Sequence, residues 1–240
     1  MRVYVGFDDT DTVEADRGTG KLARWFERDL PEGCRLWGVV RQQLLLDDAI
    51  PYTSHNSSAC AILECPDQIS LDLLTARAVA LIERHFLEGS DPGLCIVRKH
   101  DPVIPALISF GLECAKRVVT QGEALVAADG HVSGLGGTND GIIGAAAAVG
   151  LTAYGWSGRF IELGNLRAFP AEVSVYALNR AGLRVVSIDR EAHVLAPEDI
   201  VETGGWLRPR LWAGQPVLPV VPADSGRWAS LGRKRPHTEK

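Results

Sequence analysis

The chain opens Met1-Arg2-Val3-Tyr4-Val5-Gly6-Phe7-Asp8-Asp9-Thr10-Asp11, and the fold follows from how that stretch is read. From Arg2 to Phe7 the run alternates, with β-branched or aromatic side chains at Val3, Tyr4 and Val5, which predicts a β-strand. The strand leads straight into a loop that crowds together the carboxylates of Asp8, Asp9 and Asp11. Carboxylates crowded at the end of a buried strand repel one another. A hard divalent cation such as magnesium removes that cost, because it prefers carboxylate oxygens and keeps waters and phosphates in its other positions. Asp8, Asp9 and Asp11 are therefore the expected metal ligands, with one of them in the outer shell because strand geometry keeps all three from facing the same way. The other reading is a solvated turn in which Asp9 or Asp11 satisfies backbone donors.

Downstream of the acidic loop, Gly18-Thr19-Gly20 precedes Lys21–Leu30, where Leu22, Trp25, Phe26 and Leu30 share one helical face. Thr19 is the expected cap of that helix. Gly18-Thr19-Gly20-Lys21 looks like the end of a Walker A loop, but Ala15 stands at the first glycine position and Leu22 follows the lysine. The anion-facing N–H groups of a helix start survive the mismatch, with Thr10, Gly18 and Gly20 on the phosphate side and Lys21 as a nearby point charge. A simple capped helix is the alternative. Further strands are expected at Arg35–Leu46, Ala59–Pro66, Leu94–Lys99 and Phe160–Leu163, and helices near Leu71–Leu87 and Ser109–Val119. The most glycine-dense stretch, Gly134 to Gly141, enters the alanine-rich run Ile142–Gly150, expected to be a closely packed helix. Gly136, Gly137, Thr138, Gly141 and Gly144 form a second candidate phosphate cradle; a tight helix crossing would want the same small residues. The polar loop Ile50–Ser58 suits either a bound base or an ordinary hydrogen-bonded surface.

Composition bounds the rest. With 46% hydrophobic and 23% charged residues in 240, wholesale disorder is excluded and one large domain, or a domain with an appendage, is expected. No stretch approaches the roughly 18 apolar residues of a membrane span. Acids stand where a signal peptide has its apolar core, so a soluble cytoplasmic protein is expected. The five cysteines contain no CxxC pair, which argues for buried or free thiols and against a zinc ribbon. Of the net charge of −5, residues 201–240 contribute seven Lys/Arg against three acids, so the body before them is strongly acidic. Such a body is a poor general binder of polyanions, and the basic end could touch RNA or simply aid solubility. Beyond Phe169, Val173–Leu178 and Leu183–Ile188 read as strands, punctuated by prolines and by Trp206, Trp212 and Trp228. The expected fold class is α/β (mixed α+β), with a catalytic domain over residues 1–170 and a small β-rich extension over 171–240. The tryptophans would pack the extension onto the body or mark a homodimer contact.

The acidic loop after the first strand, the Gly-Thr step into a helix, Ile50-Pro51-Tyr52 with its Asn-containing loop, and the GIIGAAAAVG segment at Gly141–Gly150 together resemble a known family. In order and approximate spacing they are similar to the kinase-like domain of isoleucine-tRNA agmatinylcytidine synthetase (TiaS), over roughly residues 1–165. The resemblance implies an ATP- and Mg2+-dependent enzyme that phosphorylates the carbonyl oxygen of a tRNA cytidine, after which agmatine displaces the phosphate. Carried over, Asp8, Asp9 and Asp11 match the metal-binding loop, Thr19 the threonine linked to kinase activity, and Gly141, Gly144 and Gly150 the glycines of the alanine-rich helix. In the expected mechanism Asp8 and Asp11 hold the magnesium with Asp9 as a further ligand or base, Thr19 and the adjoining backbone meet the phosphates, and Lys21 or Arg24 stabilises charge developing during transfer. The chain departs from the family at Thr53 and His55, and at Thr138, Asn139 and Asp140, where the family carries basic residues. Counterparts of the family's tRNA-engaging OB-fold and zinc-ribbon modules are not found in the 240 residues. Two substrates stay open, a tRNA base or a small molecule, with the acidic body favouring the small molecule. The alternative class is a catalytically silent nucleotide-binding or assembly module.

Overall fold

The computed structural model describes residues 1–12, 15, 17–50, 55–164 and 166–232. The loop positions Pro51 to Ser54 and the basic end Arg233, Lys234, Arg235 and Lys240 lie outside the described residues. The first half runs β1 (Arg2–Asp8), α1 (Thr19–Trp25), β2 (Arg35–Gln43), β3 (Ser57–Glu64), α2 (Leu71–His85) and β4 (Gly93–Arg98). It continues through α3 (Ile104–Cys114), α4 (Gln121–Ala128), β5 (Val132–Gly134), α5 (Gly141–Tyr154) and β6 (Arg159–Glu162). The last part holds β7 (Glu172–Ser174), α6 (Val175–Arg180), β8 (Arg184–Ser187), β9 (Ile200–Glu202), β10 (Arg210–Trp212), β11 (Gln215–Pro222) and β12 (Trp228–Ser230).

All these strands join one sheet in the order β5-β4-β1-β3-β2-β6-β10-β11-β12-β9-β7, with β8 paired to β11. β1 lies between β3 and β4 and is antiparallel to both, with Val5 opposite Ala61 on one side and Ile96 on the other. Alternation along the strands divides the core between two faces. Val3, Val5, Phe7, Val39 and Leu63 point to the face covered by α1 and α2. Tyr4, Val40, Ile62 and Val97 point to the face covered by α3, α4 and α5. A sheet covered on both faces buries side chains at every position, so β1 is buried from Val3 to Phe7 and β3 from Ser58 to Leu63 instead of alternating buried with exposed. The second cluster also includes Leu178, Leu211, Leu218 and Val220 from the far end of the chain. The mixed α/β class expected from the sequence is what the structure has.

α5 is buried almost all round, as a helix apolar on every face must be. Its small residues let it sit against backbone on two sides. A Cβ added at Gly6 of β1 would fall 2.1 Å from the Ala145 carbonyl oxygen, and one at Gly93 of β4 would fall 2.0 Å from that of Gly141. On the opposite side, a Cβ at Gly150 would come within 1.9 Å of the Leu107 oxygen in α3. The helix is thus clamped between the sheet and α3.

Several elements differ from the sequence expectation. The helix expected at Ser109–Val119 starts earlier and ends at Cys114, because the Asp101 carboxylate accepts the Val103 N–H at 3.0 Å and Pro105 suits a first turn. α4, a short run of mostly small side chains, was not among the expected helices; Thr120 and Glu123 build a reciprocal capping box that starts it. Val173–Leu178 is not one strand: Ser174 accepts the Ala177 N–H at 3.2 Å and turns Val175–Arg180 into α6. The helix expected at Lys21–Leu30 tightens into a 3-10 turn over Phe26–Asp29. Of the three tryptophans, Trp228 packs against the core, while Trp206 and Trp212 lie under arginines. All five cysteines are free, four of them buried. Burial pushes the Cys60 and Cys114 thiols up to about 12, so they stay protonated and inert at neutral pH. Among the described residues no helix is long and apolar enough to cross a membrane.

Candidate functional site

The site is built where β1 ends and the antiparallel β4 begins, beneath the start of α5. Asp8 is the last residue of β1, and its carboxylate lies against Gly144: a Cβ there would be 1.7 Å from Asp8 Oδ2. Only a glycine at this turn of α5 leaves room for the acid. Asp9 follows with a left-handed backbone, φ 47°, which turns the chain away from the sheet, and its Oδ2 accepts the Asp91 N–H at 3.2 Å. Asp11 reaches forward instead. Its Oδ1 accepts both the N–H and the hydroxyl of Thr19 at 2.9 Å, tying the acidic loop to the first residue of α1.

The helix start at Gly18–Gly20 differs from the expected cap. Gly18 is the N-cap and offers no side chain, and Thr19 is already helical. The Thr19 hydroxyl, nearly buried, donates to Asp11 and accepts from the Thr10 N–H at 3.3 Å and the Thr10 hydroxyl at 3.2 Å. Thr10, Asp11 and Thr19 are therefore one hydrogen-bonded unit. Gly20 packs against Ile161 of β6, whose Cδ1 would be 2.8 Å from an added Cβ. The Lys21 ammonium lies 5.4 Å from the centre of the Trp25 ring, and the Arg24 guanidinium faces Glu162 at 3.8 Å. Neither cation has an ion pair with Asp8, Asp9 or Asp11 among the described residues.

The glycine-rich turn before α5 wraps around a residue the sequence reading passed over. Asp91 accepts the Thr138 N–H at 2.9 Å and the Thr138 hydroxyl, and its carbonyl accepts the Gly141 N–H at 3.1 Å. Gly137 takes φ 55°, and a Cβ on it would sit 1.3 Å from Asp91 Oδ1, so a side chain is excluded there. Gly136 lies over Pro92, at 3.4 Å from an added Cβ. Gln121 of α4 then braces the turn, donating to the Thr138 carbonyl at 2.8 Å and to Asp140. Two of the turn's N–H groups are thus already held by Asp91, where the sequence suggested phosphate oxygens. The signal was Asp91-Pro92-Gly93 opening β4, a turn tripeptide with an acid at its head.

Electrostatics follow from this crowding. Desolvation pushes the Asp8 carboxyl well above the usual carboxylate range; the charges of Asp9 and Asp11 add to that, while a hydrogen bond from the Asp9 backbone opposes it. Desolvation also raises Asp9, with Asp91, Asp11 and Asp140 contributing, against the hydrogen bond from the Asp91 backbone. The Arg17 guanidinium lies 5.9 Å from the centre of the Trp25 ring, and its Nη1 is buried without a hydrogen-bond partner among the described residues. No group of three His, Cys, Asp or Glu among the described residues has metal-binding geometry. The donor set nevertheless suits magnesium, which binds through one or two carboxylates and completes its shell with water and phosphate. Asp8, seated in a cradle that a Cβ at Gly144 would fill, and the adjoining Asp9 are the carboxylates that would hold such an ion.

No family model matches the chain, and no curated protein matches it significantly. Solved structures do. The chain is similar to TiaS in its complex with tRNA and ATP, at 28% identity and a TM-score of 0.52, over 62% of this chain and 36% of that one. It is similar to apo TiaS, a tRNA agmatidine synthetase, at 28% identity and a TM-score of 0.50, over 62% and 35%. A tRNA fluorescent labeling enzyme matches at 30% identity and a TM-score of 0.51, over 62% and 36%. The chain thus spans about a third of the length of these proteins. With β1, its acidic end and the clamped α5 in view, the shared fold is an observation in its own right: over that part of the chain, this protein has the fold of the TiaS family.

Proposed function

We propose that the chain is an ATP- and Mg2+-dependent phosphotransferase of the TiaS type, a tRNA-processing enzyme of the ligase or transferase class. The observation that carries this reading is the Asp8 carboxylate, desolvated against Gly144 beside Asp9 at the end of β1. Desolvated acids with raised proton affinity are costly to a fold and are found where a cation or a proton is handled. Asp8 and Asp9 would hold the magnesium, which supplies neutralisation of triphosphate charge. Asp11 keeps Thr19 and Thr10 in register, and through them the entrance of α1. The phosphate side would comprise the backbone of Gly18, Gly20, Gly136 and Gly137, since the Thr10, Thr138 and Gly141 N–H groups are committed to Thr19 and Asp91, with Arg17 Nη1, unpartnered among the described residues, as a further donor. In the transfer, the bond from the γ-phosphorus to its bridging oxygen breaks, ADP leaves, and the acceptor's oxygen forms the new bond to phosphorus. The acceptor in this reading is a nucleobase oxygen, in a tRNA or in a free nucleoside.

A second reading is a silent nucleotide-binding module. It is favoured by the placing of Lys21 over Trp25 and by the engagement of the Thr19 hydroxyl with Asp11. ATP titration with and without magnesium, followed by ADP release, separates the two. Turnover supports the enzyme, and tight binding without turnover supports the module. Asp8→Asn is expected to lower ADP release by at least about 100-fold while the fold persists. Unchanged ADP release in that variant would exclude Asp8 from the chemistry.

A further inference from the structure

Away from the carboxylates, four arginines converge on a cavity of about 200 Å3 where β2 and β6 meet the segment before β10. That is more than ten times the roughly 10–15 Å3 that one water needs. Arg41 comes from β2, Arg159 from β6, Arg167 from the connection after β6, and Arg208 from the approach to β10. Among the described residues none of the four has a carboxylate within ion-pairing distance; Arg41 Nε instead donates to Ser57 Oγ at 2.9 Å. Glu162, next along β6, pairs with Arg24. Trp206 also lines the cavity. The guanidinium carbons of Arg167 and Arg208 lie 5.3 Å and 5.4 Å from its ring centre, and its Nε1 is buried without a hydrogen-bond partner among the described residues. Burial, then the charges of Arg208 and Arg159, hold Arg41 below the usual guanidinium range. The half-buried Arg41 and Arg208, with the exposed Arg159 and Arg167 beside them and an orphaned N–H donor, leave the cavity unfavourable unless something anionic meets them.

We infer that this cavity is a phosphate-ester site, taking a nucleotide phosphate either free or within an RNA strand. Guanidinium forks match phosphate oxygens two at a time, which lysines do not. The Trp206 N–H supplies a further donor to a phosphate or sugar oxygen, and the planar faces of Arg167 and Arg208 offer stacking surface for a base. The cavity shares a strand register with the acidic end of β1: Phe7 pairs Ala59, Ala59 pairs Arg41, and Arg41 pairs Arg159. Two strand spacings of about 4.8 Å put Arg41 roughly 10 Å from Phe7. A local basic pocket on an acidic body also explains how a chain of net charge −5 could hold a polyanion at one place only.

The test is binding of two probes to the purified chain: a fluorescein-labelled eight-residue oligoribonucleotide, by anisotropy across a salt series, and adenosine 5′-monophosphate, by calorimetry. The double variant Arg167→Ala with Arg208→Ala is expected to weaken at least one probe ten-fold or more. If the oligonucleotide is that probe, its log–log salt slope should also flatten by about 1.4. Loss confined to the oligonucleotide assigns the site to RNA, and loss confined to the monophosphate assigns it to a free nucleotide. Arg167→Ala alone, at an exposed position, repeats the measurement should the double variant unfold, and Arg208→Lys should bind between the two because it keeps charge and loses the fork. Neither probe binding the unaltered protein, or both binding the variants with unchanged affinity, would overturn the inference. It does not depend on ATP turnover, so its failure and that of the phosphotransferase reading are read out separately.

Discussion

Asp8 shows what a single side chain costs and what it can do. Its folded-state proton affinity is raised, so the folded form keeps its proton to higher pH than the unfolded chain does. Its contribution therefore destabilises progressively as pH rises from the ordinary carboxylate range toward its folded value, and the full penalty stands above that. Asp8→Asn removes the charge at every pH. In metal-free buffer at neutral pH its melting temperature is expected to rise by about 3 °C, the equivalent of about 1 kcal/mol in a domain of this size, even as turnover falls. A melting temperature equal to the parent's would show that the carboxylate is not held in a desolvated place. Gly144→Ala attacks the same spot from the helix. With 1.7 Å between the new Cβ and Asp8 Oδ2, the carboxylate must swing away. A cost of about 1–3 kcal/mol is expected by thermal melting, with loss of Mg2+-dependent ATP affinity.

Helix α4 owes its existence to two side chains. Thr120 accepts the Glu123 N–H at 3.3 Å, and Glu123 accepts the Thr120 N–H at 2.8 Å while pairing with Arg117. Thr120→Ala is expected to destabilise by about 1 kcal/mol in chemical denaturation. The pH dependence has a definite sign. The hydrogen bond from Arg117 leads, with those from Thr120, in lowering the Glu123 carboxyl to about 2. The unfolded chain takes up that proton first, so the contribution of Glu123 is complete above the ordinary carboxylate value and fades as pH falls from there toward 2. Native-state hydrogen exchange of the α4 amides should accelerate over that window, and Glu123→Gln should abolish the acceleration. Such a helix was invisible to periodicity because Gln121–Ala128 is nearly all small or polar, and its capping pattern lies in the residues before it. α5, by contrast, was legible: a run of glycine and alanine says that something comes close, although not what. Gly6, Gly93 and Leu107 are the answer, and each is far from α5 in sequence.

At the scale of the whole molecule, β6 is the bridge. It pairs with β2 on one side and touches β10 on the other through Arg159 and Arg210. Phe160 on this strand is fully buried in the same cluster that holds Tyr4, Leu178 and Leu218. Phe160→Ala is expected to cost about 3–5 kcal/mol. Calorimetry of the parent protein should show one transition, since the shared cluster couples the N-terminal strands to the later ones; two resolved transitions would show that they fold independently.

What local sequence determined was whatever depends on neighbours along the chain. β1 follows from its run of β-branched and aromatic side chains, the acidic turn from its own carboxylates, and the close-packed helix from its small side chains. Tertiary structure alone decided where each carboxylate is held and by what. Asp8 was selected by the gap at Gly144, Asp11 was drawn off to Thr19, Asp91 filled the glycine turn, and four arginines from separate segments met around Trp206. Each of these depends on side chains brought together by closing long loops. That closure is set by the packing of two faces of one sheet, so no window of the sequence could display it.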